Sequence, residues 1–147
     1  MRTFGPQWFF FLFLLAAAIT LACGSSQHAM TGCGSVAGSN TTGSLQSVSV
    51  CPATADAQQY SDGEVPFAAV GVYSTQPSPA SLTAVVWGVC QQGQPTDLVT
   101  VTETGVAKCG AGASGTYTVW ATGTPVCNVV GPCGACGPTG KAELTCP

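Results

Sequence analysis

The chain has 147 residues, of which 6% are charged, and its formal net charge at pH 7 is −3. Nucleic-acid binding needs a basic surface that displaces counterions from the phosphates, and three Lys and Arg residues against six Asp and Glu residues do not supply one. The same scarcity of basic residues excludes a polybasic patch for anionic lipid.

The first segment, residues 1–22, is predicted to be a signal peptide. Arg2 is its only charge, and the run from Trp8 to Ala22, "WFFFLFLLAAAITLA", is uncharged over 15 residues. A membrane-spanning helix needs about 20 apolar residues, so an uncleaved membrane anchor is the less favoured alternative. A positive start, a short apolar core and small residues before a break are typical of an export signal. We therefore expect an exported protein and leave this segment out of the fold.

The end of that segment, "ITLACG", resembles the lipobox of bacterial lipoproteins, in which a small residue precedes a cysteine that becomes lipidated. Ala22 fills the small position and Cys23 the acceptor position, although Thr20 stands where Leu is commoner. The resemblance implies a lipid anchor in the cell envelope, with the outer membrane or cell surface favoured because Gly24 stands where Asp often signals inner-membrane retention. The alternative is ordinary signal-peptidase cleavage, which would leave Cys23 unlipidated and the protein a soluble secreted inhibitor or effector.

One of the nine cysteines, Cys23, lies in the lipobox-like segment, and the other eight follow it in the chain. Once Cys23 is set aside the count is even, and an even set in an oxidising compartment predicts disulfides. We expect four disulfides among Cys33, Cys51, Cys90, Cys109, Cys127, Cys133, Cys136 and Cys146.

Residues 23–44 are interpreted as the lipidated cysteine and a Gly/Ser/Thr-rich linker. The "NTT" at Asn40 has the form of a glycosylation sequon, which we interpret as chance. From Leu45 onward, short runs alternate between apolar and polar residues, which predicts strands and no helix. The predicted strands are residues 45–50, 65–73, 82–89, 98–101, 105–109, 116–122 and 141–146. About seven strands in one domain, residues 45–147, predict an antiparallel sandwich with a Gly/Pro/Cys-rich insertion at 123–140.

The alternation also predicts which side chains are buried. The expected core includes Phe67, Ala69, Trp87, Tyr117 and Val119. Trp120 has the opposite parity to Tyr117 and Val119, so it is either exposed or covered by the insertion. Because an exposed tryptophan is a common binding hot spot, Trp120 is the best single candidate for a contact residue.

The positions of the cysteines along these strands suggest some pairings. Cys90 and Cys109 end neighbouring strand segments and are expected to pair. Cys146 is expected to reach Cys127, Cys133 or Cys136 across the final hairpin. A bond between Cys33 and Cys51 would tie the linker to the first strand.

Several motifs resemble one family. "VSVCPATA" (48–55) is similar to a V-x-V-x-P-x-x-A opening, "GEVPFAAVGVY" (63–73) to a Gly followed by an aromatic and a small residue, and "GTYTVWA" (115–121) to a G-T-x-x-I/V-x-A ending. Trp87 stands where the family has its core tryptophan. Residues 45–122 thus resemble bacterial immunoglobulin-like domains of group 2, found in invasin- and intimin-like proteins. The resemblance implies an immunoglobulin-like sandwich with a structural, adhesive or assembly role and no catalysis. The many cysteines, the insertion and the single copy depart from the family.

The cysteines also allow an alternative function. "CGAC" (133–136) has the spacing of thiol–disulfide enzymes, but no helix is predicted after it to lower the pKa of the attacking thiol. Cys127, Cys133, Cys136 and Cys146 have a loosely zinc-ribbon-like spacing, although exported thiols oxidise. A redox-active or metal-handling envelope protein is therefore the alternative, and structural disulfides are favoured.

Other polar groups give weaker signals. Asp62 and Glu64 in "SDGE" are spaced like a calcium or acid–base pair, but their types favour a turn. His28, the only histidine, lies in the linker, where a catalytic triad would not be preorganised. We therefore expect no catalytic residue, no metal and no cofactor. The expected partners are the membrane, reached through the lipid, and an unidentified protein or glycan.

Overall fold

The computed structural model describes residues 33, 34, 36, 38–82, 84–123, 133 and 137–147. Within these residues the chain forms eleven strands, two single-turn 3-10 segments (Ala57–Gln59 and Ser61–Gly63) and no α-helix. The strands are β1 (Leu45–Cys51), β2 (Thr54–Asp56), β3 (Glu64–Pro66), β4 (Ala68–Tyr73), β5 (Ala80–Ser81), β6 (Val86–Gln91), β7 (Gln94–Pro95), β8 (Val99–Val101), β9 (Val106–Cys109), β10 (Gly115–Thr122) and β11 (Thr139–Cys146). The predicted all-β class is confirmed.

The strands form three sheets, in the orders β1–β4–β5, β2–β11–β10–β6–β7 and β3–β9–β8. Neighbouring strands are antiparallel except β2 and β11, which are parallel. Each of the seven predicted strands has a counterpart, but residues 65–73 divide into β3 and β4, and the strand predicted over 82–89 begins only at Val86 and ends at Gln91. The short strands β2, β5 and β7 were not predicted, since two or three residues are too few to show alternation.

The division between β3 and β4 occurs at Phe67. β3 pairs with β9, whereas β4 pairs with β1 and β5. Between them the backbone N–H of Phe67 donates to the carbonyl oxygen of Gly105 at 2.9 Å, outside both ladders. One extended run therefore contributes to two sheets and joins them in sequence.

The buried apolar side chains of all three sheets form one cluster. Phe67, Tyr117 and Val119 are at most 4% exposed, and Ala69 and Trp87 are half-buried and pack against the cluster. Burying a large apolar side chain contributes about 1.5–3 kcal/mol, so this cluster stabilises the packing of the sheets.

The last strand shows the predicted alternation. Ala142, Leu144 and Cys146 are buried, while Lys141, Glu143 and Thr145 are exposed. Because successive side chains on a strand point to opposite faces, β11 has one face toward the core and one polar face.

Residues 38–44, assigned by sequence to the linker, pack against the sheets. Ser39 forms a bridge with Ser81 of β5, and the backbone N–H of Ser81 donates to the carbonyl of Gly38 at 2.8 Å. Asn40 is 4% exposed. The folded part of the chain thus begins before the predicted boundary at Leu45.

Candidate interaction surface

Trp120 lies on the face of the five-stranded sheet that points away from the core. In the sheet register it stands opposite Lys141 on one side and Gly88 on the other. It is 5% exposed, which does not fit an exposed contact residue, and most of the insertion that was the expected cover lies outside the described residues. The indole lies directly over Gly88, where an added Cβ would collide with its ring. The missing side chain at Gly88 is what allows this packing.

A disulfide on the same face connects the chain after β10 to the sheet. Cys90 is 1% exposed, pairs with Thr118 in the register and is bonded to Cys133. The expected bond between Cys90 and Cys109 is therefore not formed. Sequence reasoning did not predict that Cys133 would be bonded to β6, which lies two strands away from β11 in the sheet.

A second disulfide crosses the core. Cys109 in β9 is bonded to Cys146 in β11, which corrects the expectation that Cys146 would pair with Cys127, Cys133 or Cys136. Cys146 belongs to the buried cluster and Cys109 packs against it. This bond joins the β3–β9–β8 sheet to the five-stranded sheet.

The third disulfide, between Cys33 and Cys51, is the one expected from the sequence. Cys51 is 3% exposed but lies outside the core cluster, whereas its neighbour Val50 belongs to it. Because adjacent strand residues point to opposite faces, this bond lies on the outer side of the β1–β4–β5 sheet. It fixes the segment before β1 to that side.

The disulfides also determine what the C-terminal cysteines can do. Cys133 and Cys146 are bonded to cysteines outside the proposed zinc-ribbon-like group, so those four thiols do not form a tetrathiolate site. Because Cys133 is bonded to Cys90, it does not form the redox bond within "CGAC". In the described part of the chain, no group of three or more His, Cys, Asp or Glu side chains is arranged to hold a metal.

The acidic pair in "SDGE" occupies a turn, as its residue types favoured. Asp62 has a φ of 61° and Gly63 a φ of 65°, both in the left-handed region. The carboxylate of Glu64 accepts a hydrogen bond from Lys108 Nζ at 2.9 Å, between β3 and β9. This hydrogen bond and the charge of Glu64 raise the pKa of Lys108 above its ordinary value.

Asn40 has a structural role that sequence reasoning missed. Its Nδ2 donates to the carbonyl oxygens of Thr75 at 2.6 Å and Pro77 at 2.9 Å, and its Oδ1 accepts from the backbone N–H groups of Thr42 and Gly43. The bonds to Thr42 and Gly43 form an Asx-type turn that the residue type could have indicated. With its nitrogen buried and bonded, this side chain is not accessible to a glycan, in agreement with a chance sequon.

A shallow polar groove, also missed by sequence reasoning, lies at the end of β2. Its volume is about 310 Å³, and it is lined by Thr54, Ala55, Asp56, Gln59, Tyr60 and Thr145. A second groove of about 520 Å³ lies between β1 and the start of β11. There an added Cβ at Gly140 would lie 2.9 Å from the carbonyl oxygen of Val48, so the two backbones are in close contact at this point.

Several predicted features lie outside the described residues. These are the signal peptide, Cys23, His28, Cys127 and Cys136. Within the described part of the chain, no helix has the length and apolar character needed to cross a membrane.

No protein-family model matches the chain, and no curated protein matches it.

Proposed function

We propose that the protein is a lipid-anchored, non-enzymatic module of the bacterial cell envelope that carries an immunoglobulin-like sandwich. Its role is structural, adhesive or in assembly, and it is located in the outer membrane or at the cell surface. The observation that carries the proposal is the lipobox-like "ITLACG" before an even set of cysteines. Lipid at Cys23 removes the odd cysteine, and export supplies the oxidising conditions under which the others pair.

The order of the strands supports an immunoglobulin-like sandwich. Such domains place strands A, B, E and D in one sheet and C, F and G in the other. The A–B–E–D order is matched here by β1, the continuous run of β4 and β3, β9 and β8. The C–F–G order is matched by β6, β10 and β11. The shared core cluster supports packing of these two layers face to face.

A tyrosine near the start of β10 gives further support. Immunoglobulin domains often have a tyrosine corner, in which a Tyr near the start of strand F hydrogen-bonds through its hydroxyl to backbone a few residues upstream. Tyr117 is 1% exposed, and its hydroxyl accepts a hydrogen bond from the backbone N–H of Ser114 at 3.2 Å. The contact closes the turn between β9 and β10 as a tyrosine corner does.

The test is the intact mass of the protein extracted from native membranes, with free thiols alkylated and nothing reduced. We expect a chain that begins at Cys23, is heavier by its acyl groups, takes up no alkylating agent and has lost eight hydrogens, as four disulfides among eight cysteines require. Cys23→Ser should move the protein out of the membrane fraction, and Ser25→Ala is the matched control. An unlipidated wild-type chain would overturn the anchor.

A further inference from the structure

The polar groove at the end of β2 is built from a strand edge and a tight turn. β2 runs parallel to β11, and the register places Asp56 beside Thr145. The 3-10 turn Ala57–Gln59 then leads the chain to Tyr60, so that strand and turn form the two walls of the groove. At about 310 Å³ it lies at the small end of the range for small-molecule sites, which is roughly 300–1,000 Å³.

The backbone beneath the groove is fixed by hydrogen bonds. Asp56 Oδ1 accepts from the backbone N–H of Gln58 at 3.0 Å and caps the turn. The N–H of Tyr60 donates to the carbonyl of Ala57 at 3.2 Å, and Ala57 is 2% exposed within the core cluster. A site whose walls are already ordered loses little conformational entropy when it binds.

The side chains of the groove select a class of ligand. The hydroxyls of Thr54 and Thr145 and the amide of Gln59 can both donate and accept hydrogen bonds. Asp56 only accepts, and its carboxylate disfavours an anion, since no Lys or Arg is among the lining residues. A divalent cation would need several carboxylate or carbonyl oxygens, and Asp56 is the single carboxylate in the lining. A neutral molecule with several hydroxyl groups matches this set, and the Tyr60 ring adds apolar surface.

We propose that this groove binds a neutral sugar residue of a surface glycan. The inference rests on the proposed function, because it names the ligand class for the adhesive role. The bond from Gln58 uses Oδ1 of Asp56, and the structure gives this side chain no other hydrogen bond among the described residues. Oδ2 is therefore assigned as the acceptor for a sugar hydroxyl, beside Thr145 in the sheet register and in a groove that Gln59 also lines.

The experiment titrates the full mature chain, in detergent micelles, with the methyl glycosides of glucose, galactose, mannose and N-acetylglucosamine, followed by backbone amide NMR shifts. We expect at least one sugar to shift the signals of residues 54–60 and 145, with a dissociation constant on the order of 1–10 mM for so shallow a site. Methyl glucuronide, which carries a negative charge, should bind at least fivefold more weakly than methyl glucoside. Equal binding of the two, or no shift with any neutral sugar, would overturn the proposal.

Matched variants locate the site. Gln59→Ala and Thr145→Val should each weaken binding at least fivefold. Gln58→Ala, an exposed neighbour outside the groove, and Thr100→Val, an exposed strand residue in another sheet, should not. If the groove variants and the control variants all weakened sugar binding, or if none of them did, a site in this groove would be contradicted. Since the anchor is tested by mass, a failure here leaves the lipoprotein proposal standing.

Discussion

Asn40 holds the segment before β1 to the loop that contains Thr75 and Pro77. Replacing it with Asp would put a carboxylate oxygen where Nδ2 now donates to two carbonyl oxygens, so acceptors would face acceptors. A buried polar group without partners costs about 1–3 kcal/mol, and a charged one costs more. We expect Asn40→Asp to lower the free energy of unfolding by about 2–4 kcal/mol at pH 7, measured by urea unfolding followed through tryptophan fluorescence.

The pH dependence of Asn40→Asp stability separates the cost of the buried charge from the cost of the lost hydrogen bonds. At about pH 3 the new carboxyl is protonated and can donate to one carbonyl, so the loss should be smaller than at pH 7. The control is Gln94→Glu, which adds the same charge at an exposed position of β7. If Asn40→Asp cost no more than Gln94→Glu, the hydrogen bonds of Asn40 would not matter for stability.

The strands long enough to show alternation could be predicted from the sequence. In β10 the spacing of Tyr117 and Val119 predicts their burial, and both side chains are at most 1% exposed. Parity also places Trp120 on the opposite face, but the packing of its ring over Gly88 depends on a neighbouring strand that parity does not describe. Local patterns thus assign a face of the sheet and leave open what packs on it.

The polar groove could not be predicted for a related reason. Asp56 and Thr145 become neighbours only through the parallel pairing of β2 with β11. β2 has three residues, too few for a periodic signal, and its partner lies at the other end of the domain. The turn at Asp62 needs no distant partner, and its residue types did indicate it.

The pairing of β3 with β9 places Glu64 opposite Lys108. Their ion pair can be tested through the pKa of Lys108, which it raises. Glu64→Gln removes the charge and should lower the pKa of Lys108 from its raised value toward 10.5. A raised lysine pKa contributes stability that is complete below the unfolded-state pKa and disappears as the pH rises through the folded-state pKa. The difference in stability between wild type and variant should therefore be present at pH 8 and vanish at strongly alkaline pH.

The measurement for this pair is an NMR titration of the Lys108 side chain. Glu103→Gln is the matched control, because Glu103 is exposed and is not among the groups that raise the pKa of Lys108. An unaltered Lys108 pKa in Glu64→Gln would mean that the ion pair does not form in solution.

The described disulfides occupy two kinds of position: two lie on outer faces of the sheets and one lies in the core. Cys33–Cys51 and Cys90–Cys133 fix flanking segments to the outside of different sheets, whereas Cys109–Cys146 joins two sheets through the core. The even number of cysteines predicts that bonds form but not which, since eight cysteines allow 105 pairings. Among the described bonds, the Cys33–Cys51 pair was predicted correctly and the other two were not.

These bonds also determine whether the domain folds at all. They span 18, 43 and 37 residues, and restricting the unfolded chain over such distances contributes about 3–4 kcal/mol each. A domain of this size has a net stability of about 5–15 kcal/mol, so losing all three removes much or all of it. We expect the reduced protein to be unfolded at 25 °C, with its near-ultraviolet circular dichroism lost and its tryptophan fluorescence shifted to the red.

A variant that lacks one disulfide distinguishes the loss of the bonds from damage by the reductant as the cause of unfolding. Cys33→Ala/Cys51→Ala removes the bond that closes the shortest of the three described loops, and this variant should still unfold cooperatively, with a free energy of unfolding lower by about 3 kcal/mol. The unreduced protein, treated with the already oxidised reagent, should match the untreated one. If the fully reduced chain unfolded at the same temperature as the oxidised chain, stability would come from the apolar core alone, and the bonds would serve only to hold the outer segments in place.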